Sequence, residues 1–311
     1  MRAATVASSA AALVALLVAA GSATSPASSR DLASQQAAGG TATRALVAPT
    51  KVLVVIEENH SFTQMTKGMP FLAGLSRQYG YATHWTAITH PSLPNYLAIA
   101  GGSTFGIVDD KAPAAHYRQV GAAQSVFDQA RAVGKSARTY AESMPSNCHV
   151  FDYPDKSVGI PRYVVRHNPW VYFKAGRSAC SRNDVGLGGF ARDALGNALP
   201  NVGFLIPNVC NDAHSCSLGT ADRWLRQHLN GALQSRDFTS GRLVVVVTAD
   251  EDDKRSGNRV LTSVLSPALS HKVVTTPLNH YSLTRYIAAV LRVSPLGHGR
   301  DAPNMRTAFG L

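Results

Sequence analysis

Leu243-Val244-Val245-Val246-Val247-Thr248 is an unbroken apolar run that ends in Ala249-Asp250-Glu251-Asp252-Asp253. Continuous Val and Leu residues are typical of a strand buried on both faces of a parallel sheet. In open α/β sheets the carboxyl ends of the strands form the ligand-binding edge. Four successive carboxylates repel one another unless a cation or basic groups neutralise them. The stretch predicts a core strand that delivers Asp250 and Glu251 to a charged site; Asp252 and Asp253 also fit a solvated turn.

The same pattern occurs near the start of the working domain. Lys51-Val52-Leu53-Val54-Val55-Ile56 is a second β-branched run, and it ends in Glu57, Glu58 and Asn59. Glu57 fits a solvated strand end. Glu58 and Asn59 set a carboxylate beside an amide oxygen, and these are the hard ligands that divalent cations bind. The second strand therefore predicts a metal-binding group at the same edge of the sheet.

The remaining pattern predicts an α/β fold. Strands are predicted over 82–88, 136–141, 201–208 and 260–265, and helices over 69–79, 124–133, 221–233 and after His280. Such alternation favours a three-layer α/β/α sandwich with a mostly parallel central sheet. The segment 142–185 has little periodicity and is predicted to be a long insertion.

Ser92 lies between two prolines in Thr89-His90-Pro91-Ser92-Leu93-Pro94-Asn95-Tyr96, and the apolar segment 97–100 follows. A hydroxyl at the start of a helix lies where free N–H groups and the positive end of the dipole receive an anion. Ser92 is therefore a candidate nucleophile, and the alternative is a simple N-cap. Asn95 is a candidate for contact with a phosphate oxygen.

Three further segments carry candidate site residues. Asp212 and His214 lie in a short loop bounded by Cys210 and Cys216, where metal ligands could be presented. His280 precedes an amphipathic helix, so its ring can face the same sheet edge. His167 belongs to a possible substrate-facing segment at 163–170, although a packed, hydrogen-bonded histidine is the commoner use of such a residue.

The four cysteines form an even set: Cys148, Cys180, Cys210 and Cys216. In an exported chain this predicts disulfides. Pairing Cys148 with Cys180 and Cys210 with Cys216 closes the two most local loops, but four cysteines permit three connectivities. A zinc site is the alternative, and the absence of a C-x-x-C spacing counts against it.

The chain has 311 residues and begins with a predicted signal peptide over 1–23, followed by a low-complexity linker over 24–47 and a catalytic domain over 48–311. This order predicts a secreted or cell-envelope protein with no transmembrane segment after cleavage. The formal net charge of +11 favours anionic partners. The basic residues are scattered and form no nucleic-acid motif, so no specific nucleic-acid recognition is expected.

The segments IEENHSF, THPSLPNY, HNPW, PNVCNDAHSC, TADEDD and NHYSLTRYI together resemble the bacterial and fungal phosphoesterase family of secreted acid phosphatases and phospholipases C, within the alkaline phosphatase superfamily. The resemblance implies metal-assisted double displacement through a phosphoserine at Ser92. It implies that Glu58, Asn59, Asp250 and Glu251 surround one divalent cation. Asp212, His214 and His280 would hold a second cation or bind phosphate. Asn59 and His214 are thus catalytic candidates beside Ser92, and His167 and Asn95 are substrate-binding candidates.

Two departures from the superfamily bear on the metal. The late strand ends in Asp250-Glu251 instead of Asp-His, and Asp212 and His214 are more closely spaced than usual. The number of ions, one or two, and their identity among Zn, Mg, Mn and Ca are therefore left undecided by the sequence. The expected activity is that of a phosphomonoesterase on small phosphate esters. The alternatives are a phosphodiesterase or phospholipase C and, from another class, a non-catalytic module that binds anionic polymers.

Overall fold

The computed structural model describes residues 46–154, 156 and 159–311. The predicted signal peptide at 1–23 lies outside the described residues, as does the predicted linker except for Leu46 and Val47, and both stay predictions. Among the described residues, no helix has the length and apolar character needed to cross a membrane.

The described chain contains nine strands and eleven α-helices, which alternate along much of the sequence. The strands are β1 (Lys51–Glu57), β2 (Gly80–Thr86), β3 (Ala137–Ala141), β4 (Asp184–Gly186), β5 (Val202–Ile206), β6 (Leu243–Ala249), β7 (Arg259–Leu265), β8 (Lys272–Val274) and β9 (Leu278–Asn279). The helices are α1 (Phe62–Gly68), α2 (Pro70–Gln78), α3 (Ser92–Gly101), α4 (Pro113–Val120), α5 (Val126–Ala132), α6 (Arg177–Asn183), α7 (Phe190–Leu195), α8 (Leu218–Gln234), α9 (Arg236–Thr239), α10 (His280–Leu291) and α11 (Met305–Phe309).

The strands form one mixed sheet in the order β4-β3-β5-β1-β6-β7-β2-β8, with β9 paired to β2. Every pairing is parallel except those that β7 makes with β6 and β2. This confirms the predicted α/β fold with a mostly parallel sheet. The two apolar runs form neighbouring central strands, β1 and β6, which explains why both lack the alternation of a half-exposed strand.

The core lies on these central strands. All seven residues of β6 are buried, as are the six that follow Lys51 in β1. Burying a Val or Leu side chain contributes about 1.5–3 kcal/mol, so this pair of strands supplies a large share of the stabilising apolar burial. A rigid centre of this kind fixes the positions of the polar residues that follow each strand.

Both predicted disulfides are confirmed. Cys148 pairs with Cys180 and Cys210 pairs with Cys216. The first bridge connects the start of the 142–185 insertion to α6. The insertion also contains short 3₁₀ turns and the edge strand β4, which the sequence pattern does not predict because three residues show no periodicity.

Candidate active site

The carboxyl ends of β1 and β6 meet at one edge of the sheet. Glu57 pairs in register with Ala249, so the residues that follow, Glu58 and Asp250, leave the sheet side by side. The Asp250 N–H donates to the Glu57 carbonyl at 3.0 Å. The Glu58 N–H donates to the Asp212 carbonyl at 2.8 Å, which ties in the loop after β5. Three segments far apart in sequence therefore meet at one point.

Ser92 is the first residue of α3 and its side chain does not cap the helix. The capping position is Pro91, and no side chain caps this end. The Ser92 hydroxyl is buried and donates to Glu58 Oε2 at 3.0 Å. The N-cap alternative is therefore wrong, and the role of Ser92 as a nucleophile stays a prediction. The helix end is less open to anions than expected, because the Leu93 N–H donates to Asp110 at 2.9 Å and Pro94 has no N–H.

Glu58 is the centre of a buried hydrogen-bonded group. Its Oε1 accepts the Tyr96 hydroxyl at 2.6 Å, and its Oε2 accepts that of Ser92. Burial raises the pKa of Glu58 well above its ordinary value, and the nearby Asp250 and Asp212 raise it further. Without a cation, this carboxyl therefore tends to hold a proton.

Asn59 links Asp250 to Glu251. Its backbone N–H donates to Asp250 Oδ1 at 3.3 Å, and its side-chain amide donates to Glu251 Oε1 at 2.7 Å. Burial raises the pKa of Asp250 well above the usual range, with Glu251 as the next cause. Burial also raises the pKa of Glu251 to about 8. The predicted carboxylate and amide group does assemble beside Ser92.

His167 lies between Asp212 and Glu58. His167 Nδ1 is 3.0 Å from Asp212 Oδ2, and its Nε2 is 3.1 Å from Glu58 Oε1. The ring stacks on Tyr96 with the centroids 5.2 Å apart and is 1% exposed. The ring is enclosed between two carboxyls and a tyrosine, and its Nε2 has no hydrogen-bond partner among the described residues, so the substrate-binding role of His167 stays a prediction. The ring is placed to orient Glu58.

His214 turns away from Asp212. Asp212 Oδ1 accepts the backbone N–H of His214 at 2.8 Å, whereas the exposed imidazole has Ser215 Oγ 3.0 Å from Nδ1 and an Arg166 nitrogen 3.3 Å from Nε2. The two residues therefore do not present their side chains to one ion. Arg166 was not among the residues singled out, although its place directly before His167 is a usable signal. Its Nε is 3.9 Å from Asp110 Oδ2.

The ligand role predicted for His280 is also corrected. The ring is completely buried, with Nδ1 3.2 Å from the Trp85 indole nitrogen and Nε2 2.6 Å from the Asp250 carbonyl oxygen. The indole can only donate, so Nδ1 accepts and Nε2 donates. Both nitrogens are thus used, and burial lowers the pKa of His280 to about 4. His280 holds the backbone of Asp250 in place.

Asn95 is a positioning residue and not a free phosphate contact. Its side-chain oxygen accepts the N–H groups of Ile88 and Thr89, at 2.9 and 3.1 Å. Its side-chain nitrogen donates to the Thr89 carbonyl at 2.8 Å and to Glu251 Oε2 at 3.3 Å. The amide is buried and fully engaged, which corrects the predicted role. It braces the segment before Ser92 against Glu251.

Two acids that fitted solvated positions in the sequence analysis, Glu57 and Asp252, are buried. Glu57 is buried instead of solvated, and neither carboxyl oxygen has a hydrogen-bond partner among the described residues. Burial, followed by the nearby Asp212, raises the pKa of Glu57 well above its usual value. His90, which the sequence analysis does not name as a candidate, lies 3.0 Å from Glu251 Oε2 and precedes Ser92 by only two residues.

The fit to a divalent cation can be judged from atoms that the protein leaves unused. Asp250 Oδ2 is buried without a hydrogen-bond partner in the described part of the chain. The Asn59 amide donates its N–H to Glu251, so its oxygen remains for a ligand. Within the described ranges, the only three acid, His or Cys ligand atoms that converge within 4.8 Å are those of disulfide-bonded Cys148 and Cys180 with Asp184. A cation at Ser92 would therefore use fewer carboxylates than predicted, completed by the amide and the hydroxyl.

Sequence comparisons identify a matching family model and relatives that are named as phosphatases. The Phosphoesterase family model matches residues 65–294. A phosphatidylinositol-3-phosphatase of Mycobacterium tuberculosis is 29% identical over 273 residues, which are 87% of this chain and 86% of the relative. A phosphate-repressible acid phosphatase of Penicillium chrysogenum is 32% identical over 245 residues, which are 75% of this chain and 57% of that longer protein.

Structural comparisons support the fold alone. A member of the alkaline phosphatase superfamily from Vibrio parahaemolyticus superposes with a TM-score of 0.54 at 10% identity, covering 85% of this chain and 72% of that one. Human ectonucleotide pyrophosphatase/phosphodiesterase 5 superposes with a TM-score of 0.53 at 11% identity, covering 80% and 96%. The fold is that of the alkaline phosphatase superfamily, and because the family match spans well over half of the sequence, this chain belongs to the Phosphoesterase family and is a hydrolase acting on phosphate esters.

Proposed function

We propose that this hydrolase is a phosphomonoesterase that works through a phosphoserine at Ser92. The observation that carries the proposal is the hydrogen bond from the Ser92 hydroxyl to Glu58 Oε2 at 3.0 Å, next to the unpartnered Asp250 Oδ2. A nucleophilic hydroxyl needs a nearby group that can accept its proton, and Glu58 is placed to do so.

A divalent cation would be held by oxygens of Glu58, Asn59 and Asp250 beside the Ser92 hydroxyl. Such a bound ion would lower the pKa of the serine hydroxyl and neutralise phosphate charge. The oxygen-only donor set suits one Mg, Mn, Ca or Zn ion. Glu251 is assigned to orienting Asn59. His280 leaves the predicted ligand set because both of its nitrogens are used within the protein.

The proposed reaction takes place in two displacements at phosphorus. Ser92 Oγ attacks phosphorus as its proton moves to Glu58 Oε2, and the bond from phosphorus to the ester oxygen breaks with its electron pair on that oxygen, which leaves as the alcohol after taking a proton from solvent. Water then attacks the phosphoserine and gives one proton to solvent. The bond from phosphorus to Oγ breaks with its electron pair on Oγ, which takes back the proton held by Glu58. Tyr96 and His167 keep Glu58 in place throughout, since both contact its Oε1.

Arg166 and His214 are proposed to contact the phosphate oxygens. An Arg166 nitrogen lies 3.3 Å from His214 Nε2, and the His214 side chain is exposed. A phosphate that approaches Glu58, Asp212 and Asp250 needs compensating positive charge, and a guanidinium offers paired N–H donors to phosphate. In this assignment His214 remains a catalytic-site residue, although it does not act with Asp212 as a metal ligand pair.

Two arguments favour monoesters and export. The relatives at 29% and 32% identity are named as a phosphatidylinositol-3-phosphatase and an acid phosphatase, both monoester hydrolases by name. A monoester also carries the extra negative charge that Arg166 would neutralise.

Two disulfides are typical of proteins that work outside the reducing cytosol, so we propose a secreted or cell-envelope location.

The leading function and the runner-up can be separated on one preparation. We expect p-nitrophenyl phosphate to be hydrolysed with a kcat/KM at least about tenfold higher than that for bis-p-nitrophenyl phosphate or phosphatidylcholine, because only the monoester gains the full contact with Arg166 and the cation. Release of p-nitrophenol and of phosphocholine gives the rates. A preference for either diester would make the protein a phosphodiesterase or phospholipase C instead.

A further inference from the structure

The loop that follows α3 brings an acid back to the start of that helix. Asp110 Oδ1 accepts the N–H of Leu93, the residue after Ser92, at 2.9 Å. An N–H in the first turn of a helix is a donor that a phosphate oxygen would otherwise use. A carboxylate of this chain is therefore bound where a phosphate oxygen would find a donor, directly beside the proposed nucleophile.

The charge of Asp110 also acts on other residues of the site. After burial, it is the next cause that raises the pKa of Glu251. Burial, followed by Arg166, lowers the pKa of the His214 imidazole, and the charge of Asp110 opposes this shift. A negative charge that disfavours ionisation of Glu251 also disfavours a phosphate anion bound near that carboxyl.

The contact between Asp110 and Arg166 is too long to orient the guanidinium. Arg166 Nε lies 3.9 Å from Asp110 Oδ2, whereas a charge-assisted hydrogen bond that fixes an arginine is about 2.7–2.9 Å long. Another Arg166 nitrogen lies 3.3 Å from His214 Nε2. Asp110 thus attracts the positive charge that we assign to the phosphate, and it does not fix the direction of the guanidinium.

Contacts of the neighbouring residues keep the backbone at Asp110 in place. Asp109 Oδ1 lies 2.7 Å from His116 Nε2, and Asp109 Oδ2 lies 2.9 Å from Lys111 Nζ. The Tyr172 hydroxyl donates to the Lys111 carbonyl at 3.0 Å. Because His116 and Tyr172 are buried, the loop is anchored to the protein interior on both sides of Asp110.

We propose that Asp110 competes with phosphate for the Leu93 N–H and for the charge of Arg166, and that it thereby weakens the binding of substrate and product. The inference rests on the proposed function in its assignment of Arg166 to phosphate, although it does not require a phosphoserine at Ser92. A competing carboxylate keeps the affinity for inorganic phosphate low, so the product leaves readily after each turnover.

Calorimetric titration with inorganic phosphate tests the competition without turnover. Asp110→Asn removes the charge, and its side-chain oxygen can still accept the Leu93 N–H. Asp110→Ser is a second neutral variant, which offers a hydroxyl as the acceptor. We expect both variants to bind phosphate at least about tenfold more tightly than the wild type, because a like charge beside the ligand is removed.

The matched control is Asp109→Asn, which removes the same charge from the neighbouring residue. The side chains of Asp109 and Asp110 are 34% and 35% exposed, but the Asp109 carboxylate pairs with Lys111 and His116. The control should bind phosphate within about threefold of the wild type. Equal tightening in the control would overturn the inference, since the change in net charge would then explain the effect.

Steady-state kinetics with p-nitrophenyl phosphate gives a second readout. In Asp110→Asn the KM and the inhibition constant for phosphate should both fall, and kcat should not rise, because substrate and product lose the same repulsion. A purely structural role of Asp110 would not tighten binding.

Three results would overturn the inference. They are unchanged phosphate affinity in the Asp110 variants, weaker affinity, which would mean that Asp110 orients Arg166, and no phosphate binding by the wild type or either variant. If the wild type binds phosphate and hydrolyses no phosphomonoester, the proposed function fails, and the titration still decides the role of Asp110. If the wild type hydrolyses the monoester and the phosphate affinity does not change, only the inference about Asp110 fails.

Discussion

Replacing Ser92 with Ala is expected to lower kcat for p-nitrophenyl phosphate by at least about a thousandfold, with binding of the competitive product, inorganic phosphate, little changed. The physical reason is that, in the proposed mechanism, this change removes the atom that attacks phosphorus. Ser92 Oγ is the hydroxyl that lies 3.0 Å from Glu58 Oε2. This hydrogen bond contains no second hydroxyl that could attack phosphorus in its place. Steady-state kinetics with phosphate inhibition would separate the two quantities.

The matched control for this change is Ser103→Ala. Ser103 lies just past the end of α3, and its hydroxyl only accepts the Phe105 N–H at 2.9 Å. This variant should keep nearly full activity. Retention of substantial activity by Ser92→Ala, with the control also active, would show that another group is the nucleophile and that Ser92 has only a structural part.

Replacing Asp250 with Asn is expected to reduce activity by at least about a hundredfold. We predict that a divalent cation raises the melting temperature of the wild type and that this substitution abolishes the rise. Asp250 Oδ2 is a buried oxygen with no hydrogen-bond partner among the described residues. A neutral amide there would weaken attraction for the cation and would present an N–H in place of one oxygen. Differential scanning fluorimetry with and without EDTA, followed by added Mg, Mn, Ca or Zn, gives the measurement.

The pH dependence of that stabilisation follows from the raised pKa values. Without metal, folded Glu58 and Asp250 hold protons at pH values where the unfolded chain has lost them. The metal-free protein therefore loses stability as pH rises from the ordinary carboxyl range toward the raised pKa values. A cation displaces these protons, so its stabilising effect should grow with pH over the same interval.

Asp253→Asn is the control for the metal experiment. It changes an acid in the same run, but Asp253 accepts a hydrogen bond from Gln64 and makes no contact with Ser92 among the described residues. It should leave the metal-induced shift intact. A metal-induced shift of the same size in Asp250→Asn would contradict the assigned ligand set, and insensitivity of the wild type to EDTA and to every added ion would contradict metal assistance.

Much of the fold could be predicted because burial imposes a simple pattern. The strands β1 and β6 are buried on both faces, so their sequences are continuous apolar runs, and the polar residues that follow them must emerge at one edge. This is why Glu58 and Asp250 could be placed together without a structure. The small strand β4 could not be predicted, since three residues at a sheet edge carry no periodicity.

The roles of the individual polar side chains were harder to predict. His280 and Asn95 lie near the acidic group, as expected, but their polar atoms are used by Trp85 and by the backbone before Ser92. His167 also lies there, with its Nδ1 3.0 Å from Asp212 Oδ2. Sequence spacing tells which residues reach an edge and does not tell which hydrogen bonds they have already formed. The role of Arg166 could not be predicted, because it depends on the acidic residues that the fold brings beside it.

The central claim is that phosphate passes through a covalent bond to Ser92. Mixing the enzyme with excess p-nitrophenyl phosphate, quenching in acid within the first turnovers and sequencing the peptides by mass spectrometry tests it most directly. We predict a phosphoryl group on Ser92 in the wild type and on no peptide of Ser92→Ala. A phosphoryl group on another residue, or an active wild-type enzyme that shows no phosphopeptide and no burst of p-nitrophenol, would contradict the claim.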